Sequence, residues 1–265
     1  MVARARAMLA MRGIISFARG VDFVKRGTLL NELCKKCALL NASHAVVGLG
    51  GAGKSQLAIE HAYRTREQSP ETWVFWAIAG RQDPQANIFK LVYDWLHDSK
   101  ERWLLVLDNV DDARFLLDVQ AYGPGQAADS RSAARLLRDY LPYCERGLVL
   151  ITTRNKEAAL KLVEQRDIIT VAPMDEAQAQ ALFEKKLGVQ RDNSDVTELA
   201  AALEYMPLAI VQAAAYISQS APRCSVAQYL EEFRRSDGEK TSLLDHEAGH
   251  LRRDREAKNS IIITW

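Results

Sequence analysis

No long apolar run is present. The longest, Met206 to Ile217, is interrupted by Gln212. A bilayer span needs about 20 residues, so no membrane partner is expected. Charge of one sign is lacking as well: Lys plus Arg number 35, Asp plus Glu 34, and the formal net charge is +1. That balance gives no basic field to hold nucleic acid, which is not expected as a partner either. Cysteine is scarce, four in 265 residues. This excludes a disulfide scaffold and fits a reducing, cytoplasmic compartment. Cys34 and Cys37 form a lone C-x-x-C, while Cys144 and Cys224 stand apart. Residues 28–40 read as a helix with Leu29, Leu30, Leu33, Cys37 and Leu40 on one stripe. The two cysteines read as small core residues, with metal or redox chemistry the alternative. The first twenty residues contain Arg4, Arg6, Arg12 and Arg19 and no acid. The segment reads as a disordered basic arm, with a mitochondrial presequence the alternative. Its near-lack of serine and the break at Gly13 favour the arm.

What is present is ordinary globular material. Hydrophobic residues make up 48% and charged residues 26%, enough to bury a sizeable core in one large or two small domains. Apolar runs at 44–48, 73–79, 103–107, 147–152 and 167–171 read as strands. Amphipathic stretches at 55–66, 84–97 and 132–140 read as helices between them, Asp83 and Pro84 opening the second. Nearly continuous apolar strands alternating with helices predict a parallel five-stranded sheet covered on both faces, an α/β fold. Tyr122-Gly-Pro-Gly125 is a turn cluster. After Asp175 no strand is expected. Stretches at 176–187, 196–205, 207–218 and 226–234 read as helices of a small all-α domain, joined near Pro173. The expected organisation is an arm over 1–20, an α/β domain over 21–172, a helical domain over 173–236 and a charged linker over 237–265.

The chemistry concentrates at one spacing. Gly48-Leu-Gly50-Gly51-Ala52-Gly53-Lys54-Ser55 fits G-x-x-x-x-G-K-[ST] between a strand and a helix. Glycines let backbone N–H groups approach a phosphate without a Cβ clash, and the helix N-terminus adds its dipole. Lys54 supplies a point charge for the β- and γ-phosphates, and Ser55 a hydroxyl for Mg²⁺. Trp103-Leu-Leu-Val-Leu-Asp108 ends an apolar strand on a carboxylate, the position of the second Mg²⁺ ligand. Asn109 follows, and an amide orients water but cannot take its proton. Asp111 and Asp112 are the nearest stand-ins. Hydrolysis is therefore left open, and binding of ADP or ATP is supported better than fast turnover. Arg154, at the end of Leu150-Ile-Thr-Thr153, is placed to report a γ-phosphate, with a solvent-exposed strand cap the alternative.

These motifs, in this order, resemble the NB-ARC family of STAND nucleotide switches, found in NOD-like immune receptors and apoptosome proteins, and fungal members above all. Phe23-Val-Lys-Arg26-Gly is similar to the short motif ahead of the phosphate loop that packs near adenine. Leu104 to Asp112 is similar to the Walker B strand, and Ile151-Thr-Thr-Arg154 to the sensor arginine. Met174 to Phe183 resembles the start of the first helical subdomain, and Glu204-Tyr-Met-Pro207-Leu-Ala209 the GLPL element whose proline touches the base. The resemblance implies nucleotide contacts at Val24, Arg26, Gly48, Gly50, Gly51, Ala52, Gly53, Lys54, Ser55, Gln56, Pro207 and Leu208. It implies a catalytic set of Asp108, Asn109 and Arg154, and Mg²⁺ on Ser55 and Asp108. It further implies a signalling switch, closed with ADP and self-associating with ATP, whose protein partners are unspecified.

The short stretch between Ala79 and Pro84 lacks a helical segment usual in the family. The apolar end Ile261 to Trp265 reads as the start of a further domain, so truncation before a winged-helix domain is expected. Two rivals remain. One is a module that holds nucleotide structurally or has lost its site. The other is a zinc protease through His246-Glu247-x-x-His250, a spacing that puts both imidazoles on one helical face. Its charged flanks and the fifteen residues after His250 leave no room for a protease domain.

Overall fold

A computed structural model describes residues 17–38, 42–78, 101–111, 146–188 and 194–235. The helices expected over 84–97 and 132–140, the turn at 122–125, Asp112, Cys144, His246-Glu247-x-x-His250 and the apolar C-terminus lie outside the described residues. So do Arg4, Arg6 and Arg12. Within them, the chain runs through α1 (Gly27–Cys37), β1 (Ala42–Gly48), α2 (Lys54–Gln68), β2 (Trp73–Ile78), β3 (Trp103–Asp108), β4 (Gly147–Thr153), α3 (Lys156–Leu162) and β5 (Ile168–Val171). Four helices follow: α4 (Glu176–Leu187), α5 (Ser194–Ala202), α6 (Pro207–Ser220) and α7 (Val226–Arg235).

The five strands form one parallel sheet in the order β2-β3-β4-β1-β5. β4 sits between β1 and β3, with Val46 opposite Thr152 and Leu107 opposite Ile151. All three strands therefore deliver their carboxyl ends to the same edge of the sheet. Side chains of a strand alternate between faces. Ala45, Val47, Trp103, Leu105, Leu107, Val149 and Ile151 make one buried face, on which Ala159 and Val163 pack. Leu104 and Leu148 belong to the other face and share a cavity wall with Cys34 and Cys37 of α1 and His61 of α2. Burial on both sides is why β3 and β4 read as unbroken apolar runs. Each aliphatic side chain so buried contributes about 1.5–3 kcal/mol.

The described residues divide into two compact units. One takes residues up to Arg19, Leu30–Gly48 and Lys54–Thr170; the other takes Gly20–Leu29, Leu49–Gly53 and Val171 onward. The second unit is a helical bundle in which α4 packs on α5 and α6, and α7 on α5 and α6. Phe183, Leu199, Ile210, Ala213 and Tyr229 are fully enclosed there. Asp175 caps α4 by accepting from the Gln178 N–H at 2.7 Å. Gly188 ends α4 in the left-handed region, its N–H donating to Glu184 O.

Two elements differ from the sequence expectation. The α3 helix was not expected. It is seven residues long, and its one signal is Asn155, whose side chain accepts from the Glu157 and Ala158 N–H groups. The helix expected over 196–205 ends at Ala202. Glu204 and Tyr205 stand at φ 50° and 56°, and Met206, which precedes Pro207, is extended at ψ 116°. Arg19, read as part of the basic arm, grips α2: Nε and Nη2 donate to Glu60 at 2.8 and 2.9 Å.

Candidate functional site

In the first unit the site is built at the carboxyl edge of the sheet. β1 ends at Gly48, and Lys54 opens α2 with its ammonium turned back to donate to Gly48 O at 2.8 Å. Burial pulls that ammonium down to about 8; Asp111 and Asp108 oppose the shift, and Arg154 reinforces it. Ser55 Oγ donates to Asp108 Oδ1 at 2.8 Å. Thr152, at the end of β4, donates its hydroxyl to the same carboxylate oxygen and accepts from the Asn109 N–H. Asp108 is nearly buried. Burial pushes its carboxyl up, while the hydrogen bonds from Thr152 and Ser55 and the charge of Lys54 hold it down.

Asn109 has φ 63°. The left-handed region admits asparagine readily, so this residue turns the chain sharply after the acidic strand. The turn is fastened by the Val110 N–H to Thr152 O at 2.8 Å. Asp111 accepts from the Arg154 N–H at 2.7 Å and from its Nε at 2.6 Å. Asp111 is thereby committed to Arg154, and both charges act on the Lys54 ammonium.

In the second unit the loop Leu49–Gly53 carries Gly51 at φ 79° and Gly53 at φ 92°. A Cβ on Gly51 would meet Leu208 Cβ at 2.9 Å, so glycine is required there twice over. The Leu208 N–H, in the first turn of α6, donates to Gly51 O at 3.2 Å. Pro207 begins α6, where its missing N–H costs nothing, and its Cγ lies 3.9 Å from where a Gly53 Cβ would be. Arg26 donates to Ala52 O at 3.0 Å. Val24 is buried, Gly48 and Gly50 are half-buried, and Gln56 is exposed on α2. Thus Lys54, Ser55, Asp108, Asn109 and Arg154 gather in one unit, and Val24, Arg26, Gly51, Ala52, Gly53, Pro207 and Leu208 group in the other. Sequence reasoning did not single out Thr152 or give Asp111 its arginine partner. Two hydroxyl residues ending an apolar strand were the available signal.

Hard oxygen donors, a carboxylate and a hydroxyl 2.8 Å apart, are the chemistry Mg²⁺ takes. Gly51 and Gly53, at φ 79° and 92°, carry no Cβ to stand between the loop's backbone N–H groups and an anion. A glycine loop ending in Lys-Ser at the start of a helix, with that serine bonded to the aspartate of a parallel strand two places away, defines a P-loop NTPase. Within that class the chain belongs to the NACHT domain family, which matches residues 54–189 and is a STAND branch like the NB-ARC switches it resembles.

The chain is similar to a nucleotide-binding leucine-rich repeat (NLR)-like protein of Hyaloscypha variabilis, 32% identical over 248 residues, 83% of this chain and 24% of that protein. It is also similar to the regulatory protein AfsR of Streptomyces griseus, 25% identical over 215 residues, 74% of this chain and 21% of that one. The chain therefore spans a quarter or less of these curated relatives. The fold alone is shared with Hsp104 in its closed state with ATPγS and FITC casein. There the TM-score is 0.54 at 15% identity, over 89% of this chain and 45% of the other.

Proposed function

We propose that this chain is the nucleotide-binding engine of a signalling switch that takes ADP or ATP with Mg²⁺ and hydrolyses ATP slowly. The observation that carries the reading is the Ser55–Asp108 pair at 2.8 Å beside the Lys54 ammonium at the end of a glycine loop. Ser55 and Asp108 would hold Mg²⁺, which neutralises phosphate charge when bound. Lys54 would exchange its bond to Gly48 O for the β- and γ-phosphate oxygens. Gly50, Gly51, Ala52 and Gly53 would present backbone N–H groups, and Val24, Gln56, Pro207 and Leu208 complete the nucleotide contacts that the family resemblance implies. Arg154 would read the γ-phosphate by leaving Asp111 for it.

Slow turnover follows from the group after Asp108. The residue directly after Asp108 is Asn109, whose amide side chain orients water but accepts no proton from it. A protein that keeps its nucleotide for long periods suits a two-state element biased by one phosphate group. The fungal relative is named NLR-like, and the reading extends that role here: cytoplasmic innate immune signalling, with self-association in the ATP state. No described helix is long and apolar enough to cross a membrane. The test is Lys54→Ala in the full chain, with ADP and ATP affinity measured by calorimetry. Loss of both is expected, and unchanged affinity would remove Lys54 from the site.

A further inference from the structure

Arg26 spends a buried charge on neutral partners. Its side chain is 9% exposed. Nη1 donates to Ala52 O at 3.0 Å, and Nη2 donates to Ala172 O at 2.6 Å and to Pro173 O at 2.8 Å. All three acceptors are main-chain carbonyls. Burial lowers the pKa of the group, and only the charge of Asp175 opposes it. A buried cation is costly unless its hydrogen bonds repay the lost water. The rigid guanidinium fork fits fixed acceptors better than a flexible ammonium does. Its position is braced in turn. Lys185 Nζ donates to Phe23 O at 2.9 Å and Lys186 pairs with Asp22 at 2.6 Å, which fastens the segment carrying Arg26 to α4.

The acceptor in the loop matters most. Ala52 lies between Gly51 and Gly53, both left-handed and both soft to rotation. A trans peptide is planar, with its C=O and N–H on opposite sides. Holding the Ala52 carbonyl therefore also sets the direction of the Gly53 N–H, the amide that shares its plane. The Gly51 carbonyl is held separately by the Leu208 N–H, so the loop is pinned at two successive carbonyls.

We propose that Arg26 is a positioning residue for the phosphate loop: it fixes the Ala52–Gly53 peptide plane so that the Gly53 N–H meets the β-phosphate. This rests on the nucleotide reading above. The alternative role for the same side chain is direct contact with the adenine base. The two differ in which part of the ligand feels its loss. A base contact serves AMP and ADP alike, whereas an oriented loop amide serves only a ligand that has a β-phosphate.

The experiment compares AMP and ADP as competitors of a fluorescent ADP on the full chain, for wild type, Arg26→Ala and Arg26→Lys. Thermal unfolding without nucleotide identifies folded variants. Arg26→Lys keeps the charge and part of the bonding, so it supplies the comparison if the alanine variant does not fold. ADP affinity is expected to fall roughly 10- to 100-fold in Arg26→Ala, the loss of one oriented bond to a charged group, and less in Arg26→Lys. AMP affinity is expected to change less than about threefold, so that the ADP-to-AMP preference collapses. Equal losses for AMP and ADP would overturn the positioning role and leave a base contact. A wild-type chain that binds ADP no better than AMP would overturn the nucleotide reading itself, and this proposal with it.

Discussion

Replacing Gly51 by alanine tests how tightly the phosphate loop is built. Gly51 sits at φ 79°, and a non-glycine residue in the left-handed region loses about 1–2 kcal/mol. The new methyl would also lie 2.9 Å from Leu208 Cβ. That atom is fixed to the first turn of α6 and cannot rotate away, so the loop and the helix must part. Parting them strains the Leu208 N–H to Gly51 O bond of 3.2 Å, and overpacking of this kind costs about 1–3 kcal/mol. Together the substitution destabilises by roughly 2–5 kcal/mol. Gly188 supplies the control within the same unit. Its φ is 67°, with nothing within 4 Å of a built Cβ, so Gly188→Ala carries only the left-handed cost of about 1–2 kcal/mol. Urea unfolding followed by circular dichroism reads both variants, with ADP affinity in parallel. The reasoning fails if Gly51→Ala is no more destabilised than Gly188→Ala and binds ADP as well as the parent.

Other consequences concern the acidic strand and the lysine. Thr152→Val removes a donor from Asp108, whose carboxyl burial already pushes up. The Mg²⁺-dependent part of ATP affinity should fall about tenfold or more, with recovery in Thr152→Ser; an unchanged Mg²⁺ dependence would rule the hydroxyl out. The Lys54 ammonium is pulled down to about 8 before phosphates arrive, and the charged form is the one that binds them. ADP affinity is therefore expected to be flat below that pH and to fall by up to about tenfold per unit above it. Calorimetry in buffers of different ionisation heat should show proton uptake there, and none would contradict the assignment. Arg154→Ala should weaken ATP more than ADP, because only ATP competes with Asp111 for the guanidinium; equal losses would mean that Arg154 reads no γ-phosphate.

Much of this architecture is legible in residue order because local chemistry dictates it. The Gly48–Ser55 spacing announces a phosphate loop, since only glycine tolerates φ 79° and 92°. The runs around Trp103–Asp108 and Gly147–Thr153 announce buried parallel strands, since both faces are covered. What stays hidden depends on contacts far apart in the chain. The Thr152 hydroxyl reaches Asp108 across 44 positions, and Arg26 reaches Ala172 across 146. Neither separation leaves a periodic trace. The side chain of Asn109 bears on water chemistry, and its backbone at φ 63° gives a second, conformational reason for an asparagine that residue order does not show. The α3 helix escaped because seven residues hold too few turns to show a 3.6-residue period.

The most direct test of the account is to purify the chain without added nucleotide, denature it and quantify what is released by chromatography. The account predicts ADP, close to one per chain. A protein that releases none and takes up no added ATP would contradict it.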